Sequence, residues 1–384
     1  MTRTLRRLER VLVLLPSTGI GGAEAHSAVL ARALAERGVE VRLAIAAPQR
    51  GRLAELLGPR LAEGLEAAPI AWDPEGAAED NIHRQAAAAA RLVAATRPDA
   101  AILPLPWPTH GLGLHHALAE ASIPTLAIAH LAPPEPEPGM AEAVRGLDPA
   151  RTCWVAVSDP VAARLAACLR LRRESILTVP NGIALPGFDP ARQLRARGAK
   201  RALLGLPPTA PLLVFAGRLE PKKGADLLPG IAGRLHHRTG ATLAALGEGP
   251  LLGRLAAQAV AAPGGPLRLM GQVGDVPDWL LAADALLLPS RLEGCPLVFL
   301  EAAACRCPVV ATKAALEAFG EDAYAMAAIA PDANAASLAE RAAMCLDEPL
   351  ATRRRVEAAY LHATRHDQAA MLRHYLGLLR TIAG

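Results

Sequence analysis

Short, almost wholly apolar runs alternate with helical stretches along most of this sequence. This alternation constrains the fold more than any other feature. The first block carries VLVLLP (11–16), VEVRLAIAA (39–47), AAILPLP (100–106), TLAIAH (125–130), TCWVAVS (152–158) and SILTVPNGI (175–183). A helix near 23–37 and an Ala-rich helix over about 82–96 fall between them. A second block begins at PLLVFAG (211–217) and continues through ATLAALGEG (241–249), LRLMGQV (267–273), ADALLLPS (283–290) and CPVVAT (307–312). Strands this apolar are buried on both faces, which parallel sheets covered by helices require. The expected fold class is therefore α/β, with two doubly wound domains. Between the blocks, residues 184–210 are rich in Pro, Gly and Arg and mark the boundary. The expected division is 1–188, 189–367 and a C-terminal helix over 368–384.

At 384 residues, with 52% apolar and 20% charged side chains, the chain has core material for two domains, and disorder is excluded. Aromatic residues make up only 3%, too few for stacking platforms on single-stranded nucleic acid. The net charge of +4 is mild, and no nucleic-acid recognition motif is present. Four of the 41 basic residues are lysines: Lys200, Lys222, Lys223 and Lys313. A side-by-side lysine pair is thus unusual in this chain.

The six cysteines, Cys153, Cys168, Cys295, Cys305, Cys307 and Cys345, form no Cys-x-x-Cys pair and read as free thiols in a reducing compartment. MTRTLRRLER followed by VLVLLP imitates a signal peptide. The apolar run is short and Gly-Gly follows it, so a buried first strand is expected instead. No apolar run is long enough to cross a membrane. The expected location is cytoplasmic, with room for peripheral contact between a basic face and an anionic membrane surface.

Ligands of open parallel sheets bind at the C-terminal ends of strands, and the polar candidates sit there. In VFAGRLEPKKG (214–224), Arg218 and Lys223 leave a loop after a strand, and a helix is expected to begin near Gly224. Two cations beside a helix N-terminus suit a diphosphate. LLLPSRLEGCPLVFLEAAACRCPVV (286–310) contains Glu293 and Glu301 in Glu-x7-Glu spacing. Pro296 reads as the first helical residue, leaving the Leu297 and Val298 N–H groups for phosphate oxygens. Glu301 falls among apolar helical neighbours, where a carboxylate needs a partner such as a pair of sugar hydroxyls. Gly21 and Gly22 lie between a strand and a helix, and His130 ends the TLAIAH run. Taken singly, the glycine loop fits an ordinary tight turn as well as a ligand loop, and a lone His is usually structural, although the place of His130 at a strand C-terminus favours a site.

Together these segments resemble glycosyltransferase family 4, retaining enzymes of the GT-B fold. The resemblance runs from GIGGAEAHSAVLARALAERGVEV through VPNGI, VFAGRLEPKKGADLL and LGEGPL to VPDWLLAADALLLPSRLEGCPLVFLEAAACRCPVVAT. It implies two Rossmann-like domains facing a cleft, with the acceptor mostly on the N-terminal domain and the nucleotide sugar mostly on the C-terminal one. It implies a last helix that crosses back to the first domain. By the same resemblance Arg218 and Lys223 hold the donor diphosphate, Glu293 contacts the transferred sugar and Glu301 binds the ribose hydroxyls. His130 touches the donor sugar near the reacting carbon, and Gly21 and Gly22 face the donor phosphates and acceptor. Asn181 in VPNGI matches a structural turn.

Four positions depart from the family pattern. Arg306 replaces a glycine, which puts the helix ending before it in question. Ala315 and Leu316 replace a Gly-Gly pair, and Ala184 replaces an aspartate. The chain contains no Asp-x-Asp triplet, the usual holder of a divalent ion on a nucleotide diphosphate. The expectation is a metal-independent transferase without a cofactor, using a UDP-, GDP- or ADP-sugar. The acceptor would be a glycan, a lipid-linked molecule or a small molecule, as in bacterial lipopolysaccharide, capsule or exopolysaccharide synthesis. A sugar-nucleotide epimerase, a phosphorylase or a degenerate nucleotide-sugar-binding module of the same fold are the alternatives.

Overall fold

A computed structural model describes residues 8–143, 152–185, 187–261 and 265–384. The basic stretch at residues 1–7, read above as part of a signal-peptide imitation, lies outside them. The chain forms two compact units: Met1–Asn181 with Ala369–Gly384, and Gly182–Gln368.

Among the described residues the first unit is built on seven parallel strands: β1 (Arg10–Leu15), β2 (Glu40–Ile45), β3 (Leu65–Ala67), β4 (Ala100–Leu105), β5 (Thr125–Ala129), β6 (Thr152–Ala156) and β7 (Ile176–Thr178). Their order is β3-β2-β1-β4-β5-β6-β7. Leu12, Leu14, Ile102, Leu103 and Ile128 are each essentially inaccessible, as strands covered on both faces demand. The last helix, Gln368–Ala383, belongs to this unit and buries Met371, Tyr375, Leu376 and Leu379. The run at 175–183 is a strand only as far as Thr178, because Pro180 cannot donate to a ladder. Beyond it, Ile183 and Asp367 form a parallel bridge, with Ile183 N–H to His366 O at 2.9 Å and Gln368 N–H to Ile183 O at 3.0 Å. A Cβ at Gly182 would lie 2.8 Å from the Asp367 carbonyl oxygen. The two points where the chain passes between units are therefore hydrogen-bonded side by side.

Among the described residues the second unit holds six parallel strands: β8 (Leu212–Ala216), β9 (Thr242–Leu246), β10 (Leu267–Gly271), β11 (Ala285–Leu288), β12 (Val309–Ala311) and β13 (Ala328–Ile329). Their order is β10-β9-β8-β11-β12-β13. Its core gathers Leu213, Phe215, Leu243, Leu287 and Val310 from the strands and Ile231, Leu235 and Leu338 from covering helices.

The stretch read as a boundary is not irregular throughout: Pro190–Leu203 is a helix. Asp189 caps it, its Oδ1 accepting the Ala191 N–H at 2.9 Å, and Pro190 takes the first position, where a proline costs no hydrogen bond. Its arginines are anchored rather than free. Arg201 is buried, with Nη2 2.7 Å from Asp284 Oδ2 and Nη1 2.9 Å from the Ala282 carbonyl.

Candidate active site

Both sheets reverse their strand order at one point, where the C-terminal crevice of such sheets receives ligands. In the second unit the reversal falls between β8 and β11, paired at Ala285↔Leu213 and Leu286↔Val214. The loops that follow these two strands carry Lys223 and Glu293. Adjacent parallel strands place their following loops side by side, although 70 residues separate the two side chains.

Lys223 Nζ lies 2.7 Å from Oε1 and 2.8 Å from Oε2 of Glu293. Ser290, fully buried, donates its hydroxyl to Glu293 Oε1 at 2.7 Å. The Ser290 carbonyl in turn accepts the Thr312 hydroxyl from the loop after β12. Glu293 is thus held from two sides, and Lys223 keeps a partly open face.

The loop around Lys223 differs from the expected form. No α-helix starts at Gly224; Pro221–Lys223 and Ala225–Leu227 are 3-10 turns, and the α-helix runs Leu228–Thr239. Pro221 favours the tight turn, and Gly224 reverses the chain with a φ of 69°. A Cβ there would sit 2.1 Å from the Pro289 carbonyl oxygen, so glycine also permits the backbone to approach β11's loop. The helix N-terminus therefore begins four residues beyond Gly224, and Lys223 is placed by the turns. Arg218 is exposed, and its ion contact is Glu220 at 3.5 Å; the structure does not pair it with Lys223 or Glu293.

Pro296 is the residue before the helix rather than its first, with a ψ of 108°, and the helix runs Leu297–Ala304. Leu297 and Val298 are its first two residues, and such N–H groups have no carbonyl of the preceding turn to bond. Glu301 lies one turn on, half-buried; among the described residues its carboxylate has neither a hydrogen bond nor an ion pair. Burial raises its pKa above the ordinary carboxylate value.

Arg306 ends this helix in the left-handed conformation, φ 53°. The bonds Cys307 N–H to Ala302 O (2.8 Å) and Arg306 N–H to Ala303 O (3.1 Å) form a Schellman ending. Only the side chain is unusual: its guanidinium lies 4.2 Å from the Tyr360 ring centre, and Nη1 is 2.8 Å from Glu357 Oε2. Ala315 and Leu316 are fully buried behind the β12 loop, with Ala315 N–H bonded to Thr312 Oγ1 at 3.1 Å. Lys313 is exposed beside them.

In the first unit the reversal falls between β1 and β4. The loop after β1 ends at Gly21, which precedes the helix Gly22–Ala35. Glu24 ties this loop: Oε2 accepts the Gly21 N–H at 2.6 Å, and Oε1 accepts the Ser17 hydroxyl. This is the carboxylate half of a capping box, legible as a Glu three residues after the cap. Gly21 itself has extended backbone, and a Cβ there would make only ordinary contact, 3.6 Å from Glu24 Oε2. The loop's own packing does not require glycine at 21.

His130 follows β5, its N–H bonded to Leu105 O at 2.9 Å. His26, from the helix Gly22–Ala35, packs edge-on against it with ring centres 5.0 Å apart, and the Tyr375 ring lies 5.1 Å from His26 on another side. Among the described residues neither His26 nitrogen and not His130 Nε2 has a hydrogen-bond partner. Burial lowers the His26 pKa to about 4, and desolvation together with His26 holds His130 well below the ordinary value. Both imidazoles are therefore neutral near pH 7. His26, Glu24 and Ser290 were not singled out from sequence; the Ser-x-x-Glu and Gly-x-x-Glu spacings were the available signals.

A family model described as Glycosyltransferase Family 4 matches residues 20–185, and one described as Glycosyl transferases group 1 matches residues 210–348. The chain belongs to the family 4 group of glycosyltransferases. Among curated relatives it is similar to proteins named D-inositol 3-phosphate glycosyltransferase. The one from Kineococcus radiotolerans is 29% identical over 77% of this chain and 74% of its own. The one from Actinosynnema mirum is 32% identical over 52% and 49%. The matches to relatives from Streptomyces bingchenggensis and Jonesia denitrificans span 33% and 40% of those proteins. Among solved structures, Anabaena HepE in complex with UDP and glucose superposes with a TM-score of 0.77 at 18% identity, covering 97% of this chain and 99% of that one. WaaG, a glycosyltransferase involved in lipopolysaccharide biosynthesis, gives 0.67 at 16% identity over 96% and 99%. These likenesses show the fold: two parallel-sheet Rossmann-like units of the GT-B type.

Proposed function

We propose that this chain transfers a sugar from a nucleotide-sugar donor to an acceptor hydroxyl, with retention at the anomeric carbon. The observation that carries the reading is the Lys223–Glu293 pair at the strand reversal of the second unit. It joins a fixed cation to a fixed carboxylate, and Glu293 precedes the helix Leu297–Ala304 in the same loop. That set suits a diphosphate joined to a polyhydroxyl ring. The ammonium and the helix N–H groups meet the phosphate charge, and the carboxylate accepts from sugar hydroxyls. Glu301, unpartnered and half-buried on the same helix, suits the ribose diol.

In the reaction the bond from the anomeric carbon to the diphosphate oxygen breaks, and a bond to the acceptor oxygen forms on the same face. The acceptor proton passes to the departing phosphate oxygen, so charge and atoms balance without a covalent sugar–protein intermediate. Charge develops on the leaving diphosphate, which is where Lys223, Arg218 and the Leu297 and Val298 N–H groups act. One such donor contributes on the order of 3 kcal/mol to the transition state. Family resemblance assigns His130 to the donor sugar, and a neutral imidazole offers that sugar one donor and one acceptor. Charge neutralisation by side chains is taken to need no divalent ion.

HepE was crystallised with UDP-glucose, so UDP-sugars are the first donors to test, with GDP- and ADP-sugars beside them. The curated relatives' names make inositol 3-phosphate the first acceptor; glycan acceptors follow. A thermal-shift screen against the three donor classes, followed by sugar release or transfer with and without EDTA, tests the proposal. Stabilisation by one class, turnover lost in Lys223→Ala and turnover insensitive to EDTA are expected. No stabilisation by any nucleotide sugar would remove the reading.

A further inference from the structure

Lys223 reaches Glu293 from a loop that makes little regular structure of its own, and something must hold that loop still. The side chain that does so is Arg291. Its Nη1 and Nη2 bind Asp226 Oδ1 and Oδ2 at 2.6 and 2.8 Å, a two-point fork. Nη1 also donates to the Pro221 carbonyl, and the Arg291 N–H donates to the Lys222 carbonyl at 2.8 Å. Every one of these bonds runs from the loop after β11 to residues 221–226, on either side of Lys223. The Asp226 carboxyl is held below its ordinary pKa, first by its hydrogen bond from Arg291, so the pair stays ionised across the neutral range.

We infer that Arg291 and Asp226 are positioning residues for donor binding: they brace the 221–226 turn so that the Lys223 ammonium stands where a nucleoside diphosphate would be received. The inference rests on the proposed donor reading and adds two residues that touch neither phosphate nor sugar.

The geometry decides against a merely decorative ion pair. Exposed pairs contribute little stability on their own, so stability alone does not explain a four-bond arrangement around one turn. Lysine would not reproduce these contacts, because the guanidinium puts a separate nitrogen on each Asp226 oxygen with Nη1 also on the Pro221 carbonyl, whereas an ammonium offers one nitrogen. The adjacent Gly224, which cannot carry a Cβ against Pro289 O, allows the two loops to lie close enough for the fork to close.

The test is a double-mutant cycle on UDP affinity, by calorimetry, with wild type, Arg291→Ala, Lys223→Ala and the double variant. Asp226→Asn serves as a shape-conserving second entry to the brace. If Arg291 acts through Lys223, Arg291→Ala and Asp226→Asn each weaken UDP binding about tenfold in the wild-type background and by less than about twofold once Lys223 is gone. Arg291→Lys should fail to restore affinity. Equal losses in both backgrounds would overturn the inference. Hydrogen exchange of the free protein is the second readout. Amides of 219–227 should exchange at least about tenfold faster in Arg291→Ala, with the sheet amides unchanged. Unchanged exchange there would overturn the brace whether or not UDP binds. Wild-type protein that binds no UDP, GDP or ADP while showing the exchange effect would instead sink the donor reading and leave the brace standing as a loop anchor without that ligand.

Discussion

Lys223 Nζ sits between both carboxylate oxygens of Glu293, 2.7 and 2.8 Å away, with the Ser290 hydroxyl on the same carboxylate. In this state the lysine's charge is already matched. A diphosphate must therefore share or displace the carboxylate's hold on Lys223. Glutamine at 293 would keep the shape and one acceptor but remove the competing charge. Glu293→Gln should thus bind UDP more tightly, roughly threefold to tenfold, while its transfer rate falls about 100- to 1000-fold. Calorimetry with UDP and initial-rate measurements separate the two signs. Weaker UDP binding, or near-normal transfer, would remove the assignment.

Most strands and the loop residues at their ends were legible in the sequence, because apolar run length and the residues that follow each run are local features; β3 and β13, three and two residues long, were too short to stand out. The strand order was not. That β8 and β11 are neighbours depends on pairing across 70 residues, and only this pairing explains why Lys223 meets Glu293. The helix Pro190–Leu203 was hidden because its arginines bind outside the helix, to Asp278 and Asp284, and it shows few apolar positions. The helix end at Arg306 was doubtful for the opposite reason: a backbone conformation that favours glycine is kept with a residue that finds compensation in Tyr360 and Glu357, 51 or more residues away.

That compensation can be measured. A left-handed residue with a Cβ costs about 1–2 kcal/mol relative to glycine. Arg306 offsets part of this by stacking on Tyr360, about 0.5–1 kcal/mol, and less by its half-exposed pair with Glu357. Arg306→Ala keeps the strain and loses both contacts; Arg306→Gly loses the contacts but relieves the strain. Urea unfolding should find the glycine variant more stable than the alanine variant by about 1 kcal/mol, and close to wild type. An alanine variant as stable as the glycine one would show that the backbone strain is not real.

His26 makes stability depend on pH. Its folded pKa is near 4, against 6.5 for an ordinary imidazole, because burial disfavours the charged ring. Between those values the unfolded chain binds a proton that the folded chain refuses. Its contribution is fully present above pH 6.5 and is lost as pH falls toward 4. The loss amounts to about 3 kcal/mol. His130, lowered in the same direction, adds to it. His26→Gln should flatten the fall in Tm between pH 6.5 and 4 relative to wild type. An unchanged pH profile would mean that His26 is not the titrating group.

Arg201 is a buried cation of the second unit. Its side chain is 2% exposed, it binds the carbonyls of Ala210 and Ala282, and it shares Asp284 with Arg197 and the Leu212 N–H. Arg201→Met keeps the apolar stem but leaves the Ala210 carbonyl without its donor, leaves the Ala282 carbonyl with only the longer Arg197 bond, and takes one of two cations from Asp284, which precedes β11. Removing one member of a buried pair costs about 3–5 kcal/mol, and Arg197 should hold the loss near the lower figure. Adding Asp284→Asn to Arg201→Met removes the charge left behind and should recover part of it. The pair of variants, read by denaturant midpoint, tests whether the cost lies in the stranded charge: no recovery in the double variant would place it instead in the hydrogen bonds that the Ala210 and Ala282 carbonyls lose from Arg201.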